Sequence, residues 1–273
     1  MVNLKNIFIL FCIIFFSIPH GIAKCEKRII SLTPALTEFA FYFNQNLKST
    51  CIVGISTFSD YPKATKKIKK VGAYPSPNLE KIVKLHPTLV LIAKDGNPKN
   101  IAEDLKRINI PFFIFKDRNL EEFISSILNL GEILNNKEKA LNLTRDINKS
   151  LNHQLKSRKI YYQLSEGSLT TISGETLIGD LFKKLGLKNI FEESKIQYPT
   201  PSIEEIIRKD PEIILFSSFS KKLKDIKINI EFWSPYKKIS AVKNKKIIAI
   251  DSNLLNRPGP RILNAIHELE SNL

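Results

Sequence analysis

Two stretches of the chain carry the same potential chemistry twice. Tyr74-Pro75-Ser76-Pro77-Asn78-Leu79-Glu80-Lys81-Ile82-Val83 and Tyr198-Pro199-Thr200-Pro201-Ser202-Ile203-Glu204-Glu205-Ile206-Ile207 align without a gap at an offset of 124 residues. Pro87-Thr88-Leu89-Val90-Leu91 matches Pro211-Glu212-Ile213-Ile214-Leu215 at the same offset. In each copy Asn78 or Ser202 is a strong N-cap and the proline before it keeps the entering chain extended. Glu80 or Glu204 then falls in the first helical turn, where a carboxylate meets the positive end of the helix dipole. Each copy thus presents one tyrosine on the loop before a helix and one acid a turn further on. Tyrosines facing each other across a cleft suit a broad, flat, partly apolar ligand held by stacking. A tyrosine packed on its own half of the molecule is the competing reading.

The other reactive side chains assemble into no catalytic set. The histidines are His20, His86, His153 and His267, with no pair at metal-ligand spacing and no Cys-x-x-Cys, so no metal site is expected. There is no Gly-x-Ser-x-Gly elbow and no phosphate-cradling glycine loop, and Ser173-Gly174-Glu175 reads as a turn entering a helix. A binding protein rather than an enzyme is expected, with a secreted hydrolase as the remote alternative. Cys25 and Cys51 each stand at the start of an expected strand. If those strands are parallel neighbours the sulfurs can meet as a disulfide in an oxidising compartment; two free buried thiols are the alternative.

The elements that must position these groups follow from periodicity. The first half alternates strands at 28–32, 52–55, 88–93 and 111–115 with helices at 34–43, 78–85, 98–107 and 120–134. The second half places strands near 159–164, 213–217 and 246–250, with helices near 175–185, 203–209 and 260–271. Alternation of this kind implies an α/β fold with parallel sheets and helices on both faces. Between the halves, residues 135–157 carry apolar side chains at three- and four-residue steps without Gly or Pro. That pattern predicts one long amphipathic helix of about 35 Å, which would hold two Rossmann-like lobes, 24–134 and 158–273, at a nearly fixed angle. Such lobes bind ligands at the C-terminal ends of their strands.

Composition narrows the class and the compartment. With 273 residues, 43% hydrophobic, 10 Gly, 14 Pro and 3 Cys, the chain is globular rather than collagenous, disordered or disulfide-framed. Its net charge of +15 comes from lysines scattered in short groups such as Lys66-Lys67 and Lys243-Asn244-Lys245-Lys246 without a reading motif beside them, so no nucleic acid is expected as a partner. Lys5, the apolar run Ile7–Ile18 and the small residues Gly21 and Ala23 predict a signal peptide over residues 1–23, and the run is too short to span a bilayer. Attachment of lipid to Cys25 is the competing reading.

Four segments then carry a resemblance. Arg28-Ile29-Ile30-Ser31-Leu32-Thr33-Pro34-Ala35-Leu36-Thr37-Glu38, Val53-Gly54-Ile55-Ser56-Thr57-Phe58-Ser59-Asp60-Tyr61-Pro62, Asn78–Val83 and Asn253-Leu254-Leu255-Asn256-Arg257-Pro258-Gly259-Pro260-Arg261-Ile262 resemble, in order, the periplasmic vitamin B12-binding family of ABC importers. That family belongs to the helical-backbone class, whose other members carry siderophores and haem. The resemblance implies a monomeric carrier of cobalamin or a related corrinoid in the periplasm, delivering to a permease dimer in the inner membrane. Cobalamin is then the transported ligand, not a cofactor. A ferric siderophore or haem is the alternative cargo. It implies ligand contacts from Phe58 and from Asn253, Leu254, Leu255, Asn256 and Arg257, and seats Glu80 and Glu204 on permease arginines. Arg257 alternatively pairs with a nearby carboxylate. Tyr74 and Tyr198 stand where the family often has tryptophan, Lys94 where an aromatic would serve, and no cysteine after Cys51 allows the second-lobe disulfide of some members.

Overall fold

The computed structural model describes residues 25–44, 49–219 and 223–273. The signal-peptide reading over residues 1–23 lies outside them. The first half runs β1 (Lys27–Ser31), α1 (Pro34–Asn44), β2 (Thr50–Ile55), β3 (Lys69–Lys70), β4 (Gly72–Ala73), β5 (Ser76–Pro77), α2 (Leu79–Lys84), β6 (Leu89–Ala93), α3 (Asn100–Arg107), β7 (Phe112–Phe115) and α4 (Leu120–Ile133). Its sheet has the order β3-β2-β1-β6-β7, with every pairing parallel. Helices cover both faces, so a central strand such as β6, Leu-Val-Leu-Ile-Ala, is buried throughout and reads as a continuous apolar run. A short antiparallel ribbon, β4 with β5, projects beside the sheet and carries Tyr74 in its turn.

After α5 (Lys137–Leu151) the second half runs β8 (Arg158–Gln163), α6 (Leu177–Lys184), β9 (Leu187–Asn189), α7 (Ile203–Lys209), β10 (Ile213–Ser218), α8 (Leu223–Trp233), α9 (Ser240–Lys243), β11 (Ile247–Asp251), α10 (Ser252–Leu255) and α11 (Ile262–Asn272). The second sheet is also parallel, in the order β11-β10-β8-β9. Apart from the connecting helix, the expected strands and helices are found within a residue or two of their bounds, and β3, β4, β5, β9, α8, α9 and α10 are additional to them.

The helix expected over 135–157 is shorter. Asn135 adopts a left-handed φ of +54°, which asparagine tolerates, and this separates α4 from α5. The Asn136 amide donates to the Gly131 carbonyl (2.7 Å) and its side chain reaches the Phe43 carbonyl (2.9 Å). Beyond Leu151 the chain is no longer helical, and the Leu155 amide donates to Leu185 (2.8 Å). The connection is therefore a folded-back pair, α4 against α5, with α5 also packed on α11. Gly131 lies where the pair crosses: a Cβ there would sit 2.3 Å from the Ala140 Cβ.

One continuous hydrophobic core runs through this connection. It joins Ile29, Phe39 and Leu91 of the first lobe to Phe123, Ile127 and Leu130 of α4, Leu143 and Ile147 of α5, and Tyr162, Leu215 and Ile266 of the second. Two smaller clusters serve the outer face of each lobe separately, one around Ile30 and Val90, the other around Tyr161, Ile214 and Trp233. Cys25 and Cys51 are joined, their Cα atoms 5.6 Å apart, across the paired parallel strands β1 and β2. The disulfide occupies the Cys25 sulfur that lipid attachment would need.

Candidate functional site

Loops at the C-terminal ends of the parallel strands of both lobes enclose a cavity of about 800 Å³. The first lobe supplies Thr33–Leu36 after β1, Phe58 after β2, Tyr74 from the ribbon, Asp95 and Gly96 after β6, and Asp117 and Arg118 after β7. The second supplies Leu164 after β8, Leu177 and Ile178 at the start of α6, Gln197 and Tyr198, Phe219 after β10, and Asn256–Pro258 after α10.

The aromatic side chains are presented rather than buried: Phe58, Tyr74 and Tyr198 expose between 41% and 53% of their surface. The Phe58 and Tyr74 rings meet edge-on with centroids 6.0 Å apart. Buried side chains hold both loops. Asn97 accepts from the Ala93 amide (2.9 Å) and donates to the Tyr74 carbonyl (2.7 Å), fixing the ribbon. Beneath Phe58, Ser59 shares hydrogen bonds with Thr37 (2.8 Å) and Ser56 (2.9 Å), and Lys70 Nζ caps the Ser59 carbonyl at 2.7 Å. Tyr198 is held by strand-like contacts on either side, Ser173 N to Gln197 O and Thr171 N to Pro199 O, each 2.9 Å. Burial raises the Tyr198 hydroxyl pKa, and Asp117 and Asp95 across the cleft add to the shift. The two lobes therefore meet electrostatically at this wall.

The segment after β11 divides in role. Asn256 and Arg257 reach the cavity; Asn253, Leu254 and Leu255 are absent from its wall, and Leu255 is fully buried in the core. Asn256 is also a hub: it accepts from the Tyr162 hydroxyl (2.5 Å) and donates towards Ser217 Oγ (2.6 Å) and Ser252 Oγ (3.1 Å). Burial pushes the Tyr162 hydroxyl pKa upward, which keeps it a donor. Arg257 has the carboxylate partner that the sequence left open, donating to Asp60 of the first lobe at 2.9 Å while its guanidinium lies 5.5 Å from the Phe219 ring.

Four residues later a second bridge crosses between the lobes. Arg261 makes a bidentate pair with Glu38 (2.7 and 2.5 Å), covers the Tyr61 ring at 4.1 Å and reaches the Asn253 carbonyl. Glu38 is buried, which raises its carboxyl pKa against the opposing pull of Arg261, whose own pKa Glu38 raises. Sequence reasoning missed this pair, together with Asp60, Asp95, Asp117 and Phe219. For Arg261 and Glu38 the available signal was their presence in two of the four resembling segments.

The acids on the helix starts differ from each other. Glu80 is tied to Lys84 at 2.6 Å, whereas no ion pair of Glu204 occurs among the described residues. Among the described residues no three of His, Cys, Asp and Glu are placed to hold a metal ion, and no helix is long and apolar enough to cross a membrane.

Two parallel-sheet lobes, a helical connection and an aromatic-rimmed cavity between them define a binding-protein architecture, and the periplasmic binding protein family model matches residues 29–254. The chain belongs to that family. It is similar to the vitamin B12-binding protein of Vibrio vulnificus strain YJ016, 32% identical over 264 residues that cover 94% of this chain and 93% of the relative. Among solved structures, the periplasmic vitamin B12 binding protein of Vibrio cholerae superposes with a TM-score of 0.77 at 27% identity, covering 90% of this chain and 96% of that one. The periplasmic heme binding protein of Vibrio cholerae, at 21% identity, a TM-score of 0.76 and coverage of 90% and 98%, shares the fold.

Proposed function

We propose that this chain is a non-enzymatic periplasmic solute-binding protein that captures cobalamin, or a related corrinoid, between its two lobes and delivers it to an ABC permease. The observation that carries this reading is the roughly 800 Å³ cavity with Phe58 and Tyr74 on one side and Tyr198 on the other, in a chain related over nearly its whole length to vitamin B12-binding proteins. Flat aromatic faces match a planar macrocycle. Phe58, Tyr74, Tyr198, Asn256 and Arg257 contact the cargo in this reading, while Asn253, Leu254 and Leu255 support the wall from behind. Haem is the second reading, resting on neighbours of the same fold at 20–21% identity.

Secretion by a signal peptide over 1–23, lobes bounded at 24–134 and 158–273, and a monomer that docks through Glu80 and Glu204 on arginines of a permease dimer complete the proposal. Calorimetric titration with cyanocobalamin, alongside quenching of the buried Trp233, tests the cargo. Saturable binding below about 10 μM supports it, and hemin binding in its place transfers the assignment to the second reading. For docking, Glu80→Lys with Glu204→Lys should abolish complex formation and leave cargo affinity and Tm unchanged. A double variant that docks normally removes that role.

A further inference from the structure

The cavity is already defined by its volume and its rings; what remains to be explained is its charge. In a chain of net charge +15, the ionisable groups on the cavity wall are Asp95, Asp117, Arg118, Arg257 and the two tyrosines. Arg257 is committed to Asp60, which leaves the two acids Asp95 and Asp117 against the single cation Arg118, a wall of net negative charge. Neither Asp95 nor Asp117 has an ion pair among the described residues; the nearby Lys94 instead approaches Glu122, at 4.0 Å. Burial, Asp95 and Glu122 oppose the charge of Asp117 and outweigh a backbone hydrogen bond that favours it; no cation acts on it, and its pKa is raised to about 6. Asp117 and Asp95 both act on Tyr198, so this acidic wall faces the ring that closes the cavity from the second lobe.

An ionised carboxylate is an acceptor only, with about four lone-pair sites to fill. A primary carboxamide offers two N–H donors to such a wall, whereas an incoming carboxylate offers none and adds like charge in a partly desolvated space, which is costly. We propose that Asp95 and Asp117 make this cavity select cargo by charge, accepting edges rich in carboxamide and rejecting edges that bring a carboxylate. The inference rests on the cargo reading above, since the corrin edge carries carboxamides and haem carries propionates. It assigns the discrimination to two residues of the first lobe.

The test uses a matched pair: cyanocobalamin and its monocarboxylates, in which one peripheral propionamide is hydrolysed to propionate. Titrated at pH 7.5, the wild-type protein should bind the amide at least about tenfold more tightly than one or more of the monocarboxylate isomers. In Asp95→Asn with Asp117→Asn that ratio should fall to within about twofold, and each single variant should give an intermediate value that serves if the double variant does not fold. Equal ratios in wild type and in the folded variants, with cyanocobalamin still bound, overturn the proposal and spare the cargo reading. If cyanocobalamin does not bind at all, the cargo reading fails, and the same variants are titrated with hemin. Charge selection then requires hemin to tighten at least about tenfold when the acids are neutralised, and unchanged hemin affinity rejects it.

Discussion

The two copies of the repeated segment reach the same backbone by different side chains. Both helices end in a left-handed residue before proline, His86 at φ +44° and Asp210 at φ +45°. In both lobes the residue after that proline reaches the strand next to it: Thr88 accepts from the Arg28 amide at 2.8 Å, and Glu212 from the Lys159 amide at 2.9 Å. At the helix start the copies part. In the second lobe Ser202 and Glu205 form a reciprocal capping box and Glu205 also approaches Arg208 (3.9 Å). In the first, Lys81 stands at the position of Glu205, Asn78 caps alone, and Lys84 turns to Glu80. One substitution in the repeat thus decides whether the outward acid keeps a lysine partner. Glu204 has no ion pair among the described residues, whereas in the proposed docking an arginine of the permease would have to displace Lys84 from Glu80.

The lobes also differ in how they are secured, and variants can widen or erase the difference. The largest effect is expected where they are bolted together. Arg261→Ala leaves Glu38, 4% exposed, without its partner, which should cost about 3–5 kcal/mol and show as a large loss of Tm. Glu38→Leu with Arg261→Met should recover most of it. Only the first lobe has a disulfide, spanning 26 residues; Cys25→Ser with Cys51→Ser should cost about 2–4 kcal/mol, with hydrogen exchange rising first around β1 and β2. Asp117 ranks next. Its carboxyl pKa is raised in the folded protein to about 6 from an ordinary 3.8, so its contribution to stability is fully present below pH 3.8 and is lost as pH rises through 6. Asp117→Asn should therefore raise stability by about 1–2 kcal/mol at pH 7.5 and confer no such gain near pH 4, in denaturant titrations at the two values.

Smaller effects sharpen the comparison of the two tyrosines and the two helix starts. Tyr74→Ala and Tyr198→Ala should each weaken cargo binding by about 1 kcal/mol, roughly fivefold, and Tyr198 should cost more because Phe58 remains beside the Tyr74 position. Unchanged affinity in both would return the tyrosines to a packing role. Lys81→Glu should build in the first lobe the capping box of the second, raising stability by about 0.5 kcal/mol in chemical denaturation.

Much of this was legible in the chain itself. β6 and β10 are short apolar runs after proline, and the repeat marked both helix starts, because hydrophobic period and capping chemistry are local signals. The early end of α5 was hidden: Leu155 continues the three- and four-residue spacing past Leu151, although the chain there is no longer helical and the Leu155 amide donates to Leu185. The bridge between Glu38 and Arg261 spans 223 residues, and pairing at that distance is a product of topology, not of pattern. Asp95 and Asp117 had no signal because an acid after a strand is ordinary until the opposite lobe closes over it. Asn253–Leu255 matched by resemblance, yet the turn of α10 directs Leu255 into the core.

The crossing at Gly131 has a consequence for inheritance. Only a hydrogen atom separates α4 from α5 there, and those helices carry the continuous core from one sheet to the other. Any side chain at this position must force the crossing open, and the displacement grows with distance along both lobes until it reaches the rings at the rim. A genetic screen for cells that fail to take up the cargo would therefore recover changes at residue 131 beside those at residues 74 and 198, although residue 131 is not among those that line the cavity.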